Sequence, residues 1–366
     1  MIIKRNDFLD ALRLVKPGLQ SSGSSIAFDK GWIQSLSERI GVSYKFETGI
    51  EGCLPFHWLY EALKAMKTNG IAVSSDNKRV VFKGGFSELS LNLLPESETF
   101  ETFRRDAEKF QKRVADFKNE IDAIQWQPVP TRLLEGFKRS LLGADENDIG
   151  RLSGILISNN LIVSSDNFRM GCYDMGESVG ELIRLGVEQV KALVKMRKSF
   201  HLMGISAEQF HLKNDSLIVS LRRLHLKNYP LEQVAKVLED LKRVKPFYPT
   251  GLFTLPAHLE QYVDRAATLA GVGLGDLNFD VQISLKAEGG CLVITGRNTL
   301  GELSNKIPWN GVLPELTISP STLKDILKLT RQFRVNSNRD MVIFEAPNFR
   351  FMILANVAKE NEEKVV

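Results

Sequence analysis

The chain has 366 residues, 43% of them hydrophobic and 25% charged, with 48 lysines and arginines against 44 aspartates and glutamates. Those proportions exclude a disordered or fibrous chain, and the length allows two or three domains. A net charge of +4 is too small to establish nucleic-acid binding by itself, so the placement of the charges must decide it.

No apolar run approaches the ~18–20 residues of a membrane helix, so no membrane partner is expected. The start, Met1-Ile2-Ile3-Lys4-Arg5-Asn6-Asp7, lacks the basic region and long apolar stretch of a secretory signal. Cys53, Cys172 and Cys291 are far apart with apolar neighbours, which reads as buried thiols in a reducing cytoplasm. There is no phosphate-loop lysine pattern, no Gly-x-Ser-x-Gly and no His-Glu-x-x-His. His57, His201, His211, His225 and His258 are scattered and read as packing or surface residues. Gly271-x-Gly273-x-Gly275 follows a predicted helix and precedes a strand, the reverse of a dinucleotide loop, and reads as a turn. Asp145-Glu146-Asn147-Asp148 fails as a calcium loop, because Ile149 and Leu156 fall where oxygen ligands are needed. The reading is therefore no catalytic residue, no metal and no cofactor.

In chain order, the first predicted helix is Asp7–Val15 and the second is Pro55–Lys67, followed by strands at Ile71–Ser74, Arg79–Phe82 and Glu88–Leu93. A charged helical stretch follows at Glu101–Ile124. The pattern then restarts with a helix at Thr131–Leu142 and strands at Ser153–Ser158 and Leu161–Ser164, joined through Asn159-Asn160. A helix at Gly186–Lys198 leads to strands at Phe200–Ile205, Gln209–Leu212 and Ser216–Leu221. A third pass has a helix at Ala257–Leu269 and strands at Asp280–Lys286 and Cys291–Thr295, joined through Ala287-Glu288-Gly289-Gly290. It ends with a helix at Ser321–Phe333 and strands at Arg334–Asn336, Met341–Glu345 and Arg350–Leu354. The first helices start about 125 residues apart, so the chain reads as three copies of a unit that is itself doubled. The expected domains are 1–125, 126–248 and 249–366.

The runs Leu152-Ser153-Gly154-Ile155-Leu156-Ile157 and Ile162-Val163-Ser164-Ser165-Asp166-Asn167-Phe168-Arg169-Met170 resemble the second domain of the β sliding clamp of bacterial DNA polymerase III. Lys227-Asn228-Tyr229-Pro230 with Val234 resembles the family's Gly-Arg-Phe-Pro segment, Arg265-Ala266-Ala267-Thr268-Leu269 its third-domain helix, and Phe351-Met352-Ile353-Leu354 its closing strand. The likeness covers most of the chain and is strongest over residues 131–172. There are departures. Asn167-Phe168 replaces Gly-His, Ser21–Ser25 falls where the family has Leu-Pro-Ile-Leu, the linker at 101–124 is long, and the net charge is positive. They point to a divergent, virus-encoded version.

The resemblance implies an α+β clamp fold: three similar domains, each of two helices on antiparallel sheets, assembling as a head-to-tail homodimer ring. It implies a cytoplasmic, non-catalytic processivity factor that holds double-stranded DNA and tethers a replicative DNA polymerase, with a clamp loader as a further partner. A ring that slides needs phosphate contacts from long, mobile cations rather than base readout. On the predicted helices these are Arg13, Lys16, Lys64, Lys67, Arg132, Lys138, Arg139, Lys191, Lys195, Arg197, Lys198, Arg265, Lys324, Lys328 and Arg331. Many fall in a last helical turn, where a cation also offsets the helix dipole. A partner-peptide pocket would take Leu152, Ser165, Asn167, Arg169, Met170, Pro230, Val234, Met352 and Leu354, and the subunit interface Thr268 and Leu269. The tail Lys359-Glu360-Asn361-Glu362-Glu363-Lys364 extends beyond the family's usual end. Two other readings are a clamp-fold monomer acting as a DNA-binding or regulatory module, and a two-domain α+β enzyme. The first would weigh 41.2 kDa rather than about 82 kDa in solution.

Overall fold

The structure is a computed structural model, and it describes residues 1–19, 25–76, 78–93, 101–144, 152–166, 168–227, 229–242, 251–271, 281–299, 301–336 and 341–355. The readings on Ser21–Ser24, Asp145–Asp148, Asn167, Gly273, Gly275 and the tail after Ala355 lie outside the described residues.

One connectivity runs three times. The first pass is β1 (Ile2–Lys4), α1 (Arg5–Val15), β2 (Ser25–Asp29), β3 (Trp32–Leu36), β4 (Ile40–Lys45), β5 (Gly52–Pro55), α2 (Phe56–Ala65), β6 (Gly70–Ser75), β7 (Arg79–Gly84) and β8 (Ser87–Asn92). After α3 (Glu101–Ala123), the second pass is β9 (Gln127–Pro128), α4 (Leu133–Ser140), β10 (Ile155–Ser158), β11 (Leu161–Ser165), β12 (Arg169–Asp174), β13 (Ile183–Leu185), α5 (Val187–Lys195), β14 (Leu202–Ile205), β15 (Gln209–Lys213) and β16 (Leu217–Arg222). After α6 (Leu231–Lys242), the third is β17 (Phe253–Thr254), α7 (Leu259–Gly271), β18 (Ile283–Glu288), β19 (Cys291–Asn298), β20 (Gly301–Pro308), β21 (Leu316–Ile318), α8 (Pro320–Leu327), β22 (Gln332–Val335), β23 (Met341–Ala346) and β24 (Phe349–Leu354).

The chain packs as two units, Met1–Pro130 with Glu188–Leu224, and Thr131–Val187 with His225–Val366. Each has one eight-stranded and one four-stranded antiparallel sheet. In the first unit the orders are β5-β2-β3-β4-β16-β15-β14-β9 and β1-β6-β7-β8. In the second they are β13-β10-β11-β12-β24-β23-β22-β17 and β20-β19-β18-β21. Each eight-stranded sheet is two four-stranded halves joined at a seam, β4 on β16 and β12 on β24. The fold is α+β.

The helices form because their apolar residues recur with helical spacing and meet a sheet. On α1, Phe8, Leu9, Leu12 and Val15 are buried, and the Phe8 ring stacks on Phe46 at 5.7 Å and meets Phe28 and Phe82 edge-on or tilted. The end of each first helix comes down on the second strand after it. Ser35 Oγ donates to Val15 O, and Ser164 Oγ donates to Ser140 O. In the third pass the same place holds Gly296, where a Cβ would collide with the Ala266 backbone. Only hydrogen or a small hydroxyl fits between helix and strand there.

Several sequence expectations need correction. The helix expected over Ser321–Phe333 stops at Leu327, because Phe333 is a fully buried strand residue paired with Phe253 and Phe344. Its start is as read: Ser319 Oγ accepts from Thr322 N, with Pro320 at the first turn. The short strands β1, β9 and β17 precede the first helices and carry too few residues for a pattern of their own. Helix α6 was not expected, although Leu231, Val234, Val237, Leu238 and Leu241 recur at helical spacing. Cys53 and Cys172 are buried as expected, and burial pushes the Cys53 thiol up to about 11, but Cys291 is only half-buried.

Among the histidines, His211 is fully buried on β15, with Nδ1 2.6 Å from Ser220 Oγ. Burial lowers its pKa from 6.5 to about 4, so the fold keeps neutral a ring that the unfolded chain protonates. The contribution to stability is whole above pH 6.5 and is lost as pH falls towards 4, by roughly 3 kcal/mol in all. Urea unfolding at pH 7 and pH 4.5 is expected to show this fall in the native chain and a flatter profile in His211→Gln. Equal slopes in the two would assign the acid sensitivity elsewhere.

Candidate functional site

Two sites are built from the expected residues. The first is a groove in the first unit. Arg13 sits in the last turn of α1, Lys16 follows it, Lys191 and Lys195 lie on α5, and Lys198 comes just after. These five cations, from two segments distant in sequence, line one groove of about 640 Å³. Leu14, Pro17, Leu19 and Met196 supply apolar stems, and Asp10 and Glu188 also line it. Arg13 pairs with Asp10 at 2.6 Å and donates to Tyr60 Oη at 3.1 Å. Such an exposed pair is worth at most about 1 kcal/mol, so a phosphate can replace the carboxylate.

The other expected cations are not gathered there. Lys64 pairs with Glu61 at 3.6 Å, Lys328 with Asp325 at 2.7 Å, Arg139 with Glu135 and Lys324 with Asp264. Arg265 stacks over Tyr262 at 5.4 Å. Lys67, Arg132 and Lys138 are exposed at or beside helix ends, and Arg197 is exposed just past α5 with positive φ. Arg331 lies outside α8 and serves the fold: it donates to Pro256 O at 2.6 Å and to Glu260, whose carboxyl it holds below the usual range. Of the expected interface residues, Thr268 is exposed and bonded to Asp264 O, while Leu269 is half-buried.

The second site is an apolar cavity of about 240 Å³ in the second unit. Seven of the nine expected pocket residues line it: Leu152, Ser165, Arg169, Met170, Val234, Met352 and Leu354. Pro230 is not among the lining. It immediately precedes α6, and its carbonyl accepts from Val234 N. Asn167 lies outside the described residues.

The β12–β24 seam builds the cavity floor, because Met170 is directly opposite Met352. Met170 also joins two apolar clusters, one with Leu156, Val163, Tyr229 and Val234, the other with Ile343 and Met352. One wall is a turn locked by its own side chains. Asp166 accepts from Phe168 N at 3.2 Å and Arg169 N at 2.9 Å, and pairs with the Arg169 guanidinium. Ser165 Oγ donates to Arg169 O at 2.9 Å, and an Arg169 nitrogen reaches Thr322 Oγ1 at 3.3 Å. Phe168 and Leu354 stand at the mouth, 72% and 43% exposed, tied by the Leu354 N to Phe168 O bond. Behind the cavity, Arg184 lies 4.7 Å over the Tyr229 ring, and burial raises the Tyr229 pKa.

Sequence reasoning misses Gln233, Val237, Met341 and Ile353 in the lining; it leaves Phe168 out of the pocket set while expecting it, in place of the family's histidine, to narrow or reshape the pocket, and Phe168 is part of the lining. The helical spacing of Val234 and Val237 was a usable signal. Met341 carried none, since it arrives through β23–β24 pairing.

What the cavity offers is a pre-formed, largely apolar slot with a methionine floor and a few polar rim groups. Such a slot suits one or two apolar side chains of a partner peptide. Adding a carboxylate on its α6 wall tests that chemistry. Val237→Glu is expected to weaken capture of a labelled hexapeptide bearing two leucines and a phenylalanine at least tenfold, read by fluorescence anisotropy, with the melting temperature little changed. Unchanged capture would place the peptide elsewhere.

Among the described residues, no helix is long and apolar enough to cross a membrane. No protein-family model matches the chain, and no curated protein does. Solved structures do. The chain is similar to the DNA polymerase III β subunit of Thermotoga maritima, with 13% identity, TM-score 0.66, and 96% of this chain and 98% of that one covered. It is similar to the DNA polymerase sliding clamp of Pseudomonas aeruginosa, with 14% identity, TM-score 0.68, and 97% and 98% covered. It is similar to the Helicobacter pylori β clamp bound to a DNA ligase peptide, with 15% identity, TM-score 0.67, and 97% and 99% covered. Over nearly its whole length, and with little sequence in common, the chain has the fold of bacterial DNA polymerase III β-subunit sliding clamps.

Proposed function

We propose that the chain is a sliding clamp: a non-catalytic, cytoplasmic processivity factor whose homodimer encircles double-stranded DNA without reading its sequence. It tethers a replicative DNA polymerase and other replication or repair proteins through the Met170–Met352 cavity, and a clamp loader opens it. Its three domains are 1–125, 126–248 and 249–366. The observation that carries the reading is the clamp fold over about 97% of the chain, with the one connectivity run three times.

The strand registers give this reading a specific closure. Across the seams, Val42 pairs with Val219 and Gly171 with Phe351. Val42, Gly171 and Leu303 hold equivalent places, opposite Ser35, Ser164 and Gly296. Val219, Phe351 and Leu89 do too, opposite Leu212, Phe344 and Phe82. Only β20 and β8, the third members of these two sets, have no seam partner in their sheet orders. In the proposed ring β20 of one protomer pairs antiparallel with β8 of the next, with Leu303 opposite Leu89. Leu303 is 38% exposed, and Asn305 Nδ2, two residues along, is a buried donor with no acceptor among the described residues. Both fit an edge that is completed by another chain.

Lysines and arginines on mobile stems would hold phosphates weakly while the closed ring retains the duplex, so grip comes from topology rather than affinity. The test is retention. Once assembled on nicked circular DNA in 0.3 M salt, the protein is expected to stay through gel filtration and to leave within minutes of linearisation. Equal loss from circle and linear form would overturn encirclement.

A further inference from the structure

The two seams are equivalent places of the repeat, yet they are covered differently. At the second, Met170 faces Met352, which faces Ile343, and this apolar floor is open as the cavity. The matching residues of the first seam are Gly41 opposite Ser220, with Ser220 opposite His211. That floor is small and polar, and α3 lies on it. The Phe117 ring covers Gly41 so closely that a methyl there would come within 3.0 Å of it. Phe117 and Ile121 are buried with Ile218. Glu120 accepts from Ser206 Oγ at 2.5 Å and Gln209 Nε2 at 3.3 Å, and sits 3.5 Å from His211 Nε2. Lys118 pairs with Asp29 at 3.1 Å. The helix therefore touches β2, β3 and β4 on one half of the joined sheet, and β15, β16 and Ser206 just past β14 on the other.

We infer that α3 is the resident occupant of the first seam: the chain's own linker helix fills the face whose counterpart is open to partners, removes it as a docking site, and straps the two half-sheets together. The floor suits this occupant and no apolar stranger. Gly41 leaves room for the Phe117 ring, and the Ser206, Gln209, Ser220 and His211 groups need the partners that Glu120 and one another supply, since buried polar groups left unpaired are costly. Because α3 is tethered at both ends, it faces no competitor at comparable effective concentration. The charged face it turns outward accounts for a linker that reads as charged in sequence yet carries Phe117, Ile121 and Ile124 on one side.

Amide hydrogen exchange on the full chain, without DNA or peptide, tests this apart from the function proposed above. In the native chain the seam amides of residues 40–45 and 217–222 are expected to exchange at least tenfold more slowly than those of 169–174 and 349–354. Phe117→Ala with Glu120→Ala is expected to remove that difference by speeding the first set alone. If the double variant loosens both seams together, Gly41→Ala is read instead, which displaces the Phe117 ring and leaves the helix's own sequence intact; it is expected to speed the first seam only. First-seam exchange unchanged in the double variant, or accelerated no more at the first seam than at the second in Gly41→Ala, overturns the strap.

Discussion

Leu303→Asp is expected to convert a species of about 82 kDa into one of 41.2 kDa at micromolar concentration, and to abolish retention on circular DNA. The side chain is 38% exposed in the single chain, so a carboxylate is tolerated by the folded protomer. In the proposed ring it is buried opposite Leu89 of the neighbouring chain, where an unpaired charge costs several kcal/mol at each of two symmetric interfaces. The register comes from the two seams within the chain, which agree with each other. Leu303→Met keeps an apolar side chain and should keep the larger mass, which separates loss of the interface from general damage. Light scattering that still reports about 82 kDa for Leu303→Asp would exclude the β20–β8 pairing.

Replacing Lys16, Lys195 and Lys198 together by alanine should weaken binding to short linear duplex on the order of a hundredfold at 0.1 M salt. The argument is counterion release. Each phosphate contact contributes a slope of roughly 0.9 to the dependence of log K on log salt, so the slope should fall by about three. All three lysines are exposed, and surface substitutions of this kind leave stability within about 0.5 kcal/mol, so a melting curve serves as the control. Affinity and slope must fall together. A weaker complex with an unchanged slope would mean that the groove shapes the protein without touching phosphate. The same change at Arg331 is expected to act through the fold, because its guanidinium holds Pro256 O and Glu260.

Partner capture and DNA retention use different parts of the chain in this reading, which makes them separable. Val237→Glu should cost peptide binding and leave DNA binding and retention, while the lysine triple should weaken binding to linear duplex and leave peptide capture. Phe168 belongs to the first group. It stands at the cavity mouth where the resembled family has histidine, and its exposed ring adds apolar surface that a bound peptide would cover.

The sequence by itself determined the repeat, the positions of most helices and hairpin strands, and the absence of recognisable catalytic motifs. Those are local matters. Apolar residues at helical or alternating spacing, and turns such as Asn159-Asn160 and Gly289-Gly290, reveal themselves within a few residues. It also named seven of the residues lining the cavity, through resemblance rather than spacing. What the tertiary structure decided were the pairings that join distant segments. Met341 enters the cavity only through β23–β24, and Lys16 meets Lys195 only because α1 and α5 share a groove. The linker reads in sequence as a long charged helical stretch, and only the fold sets Phe117 on Gly41 and Glu120 beside His211. Strand pairing and helix docking rest on contacts between residues many positions apart, and no local pattern in one chain records which segments will meet.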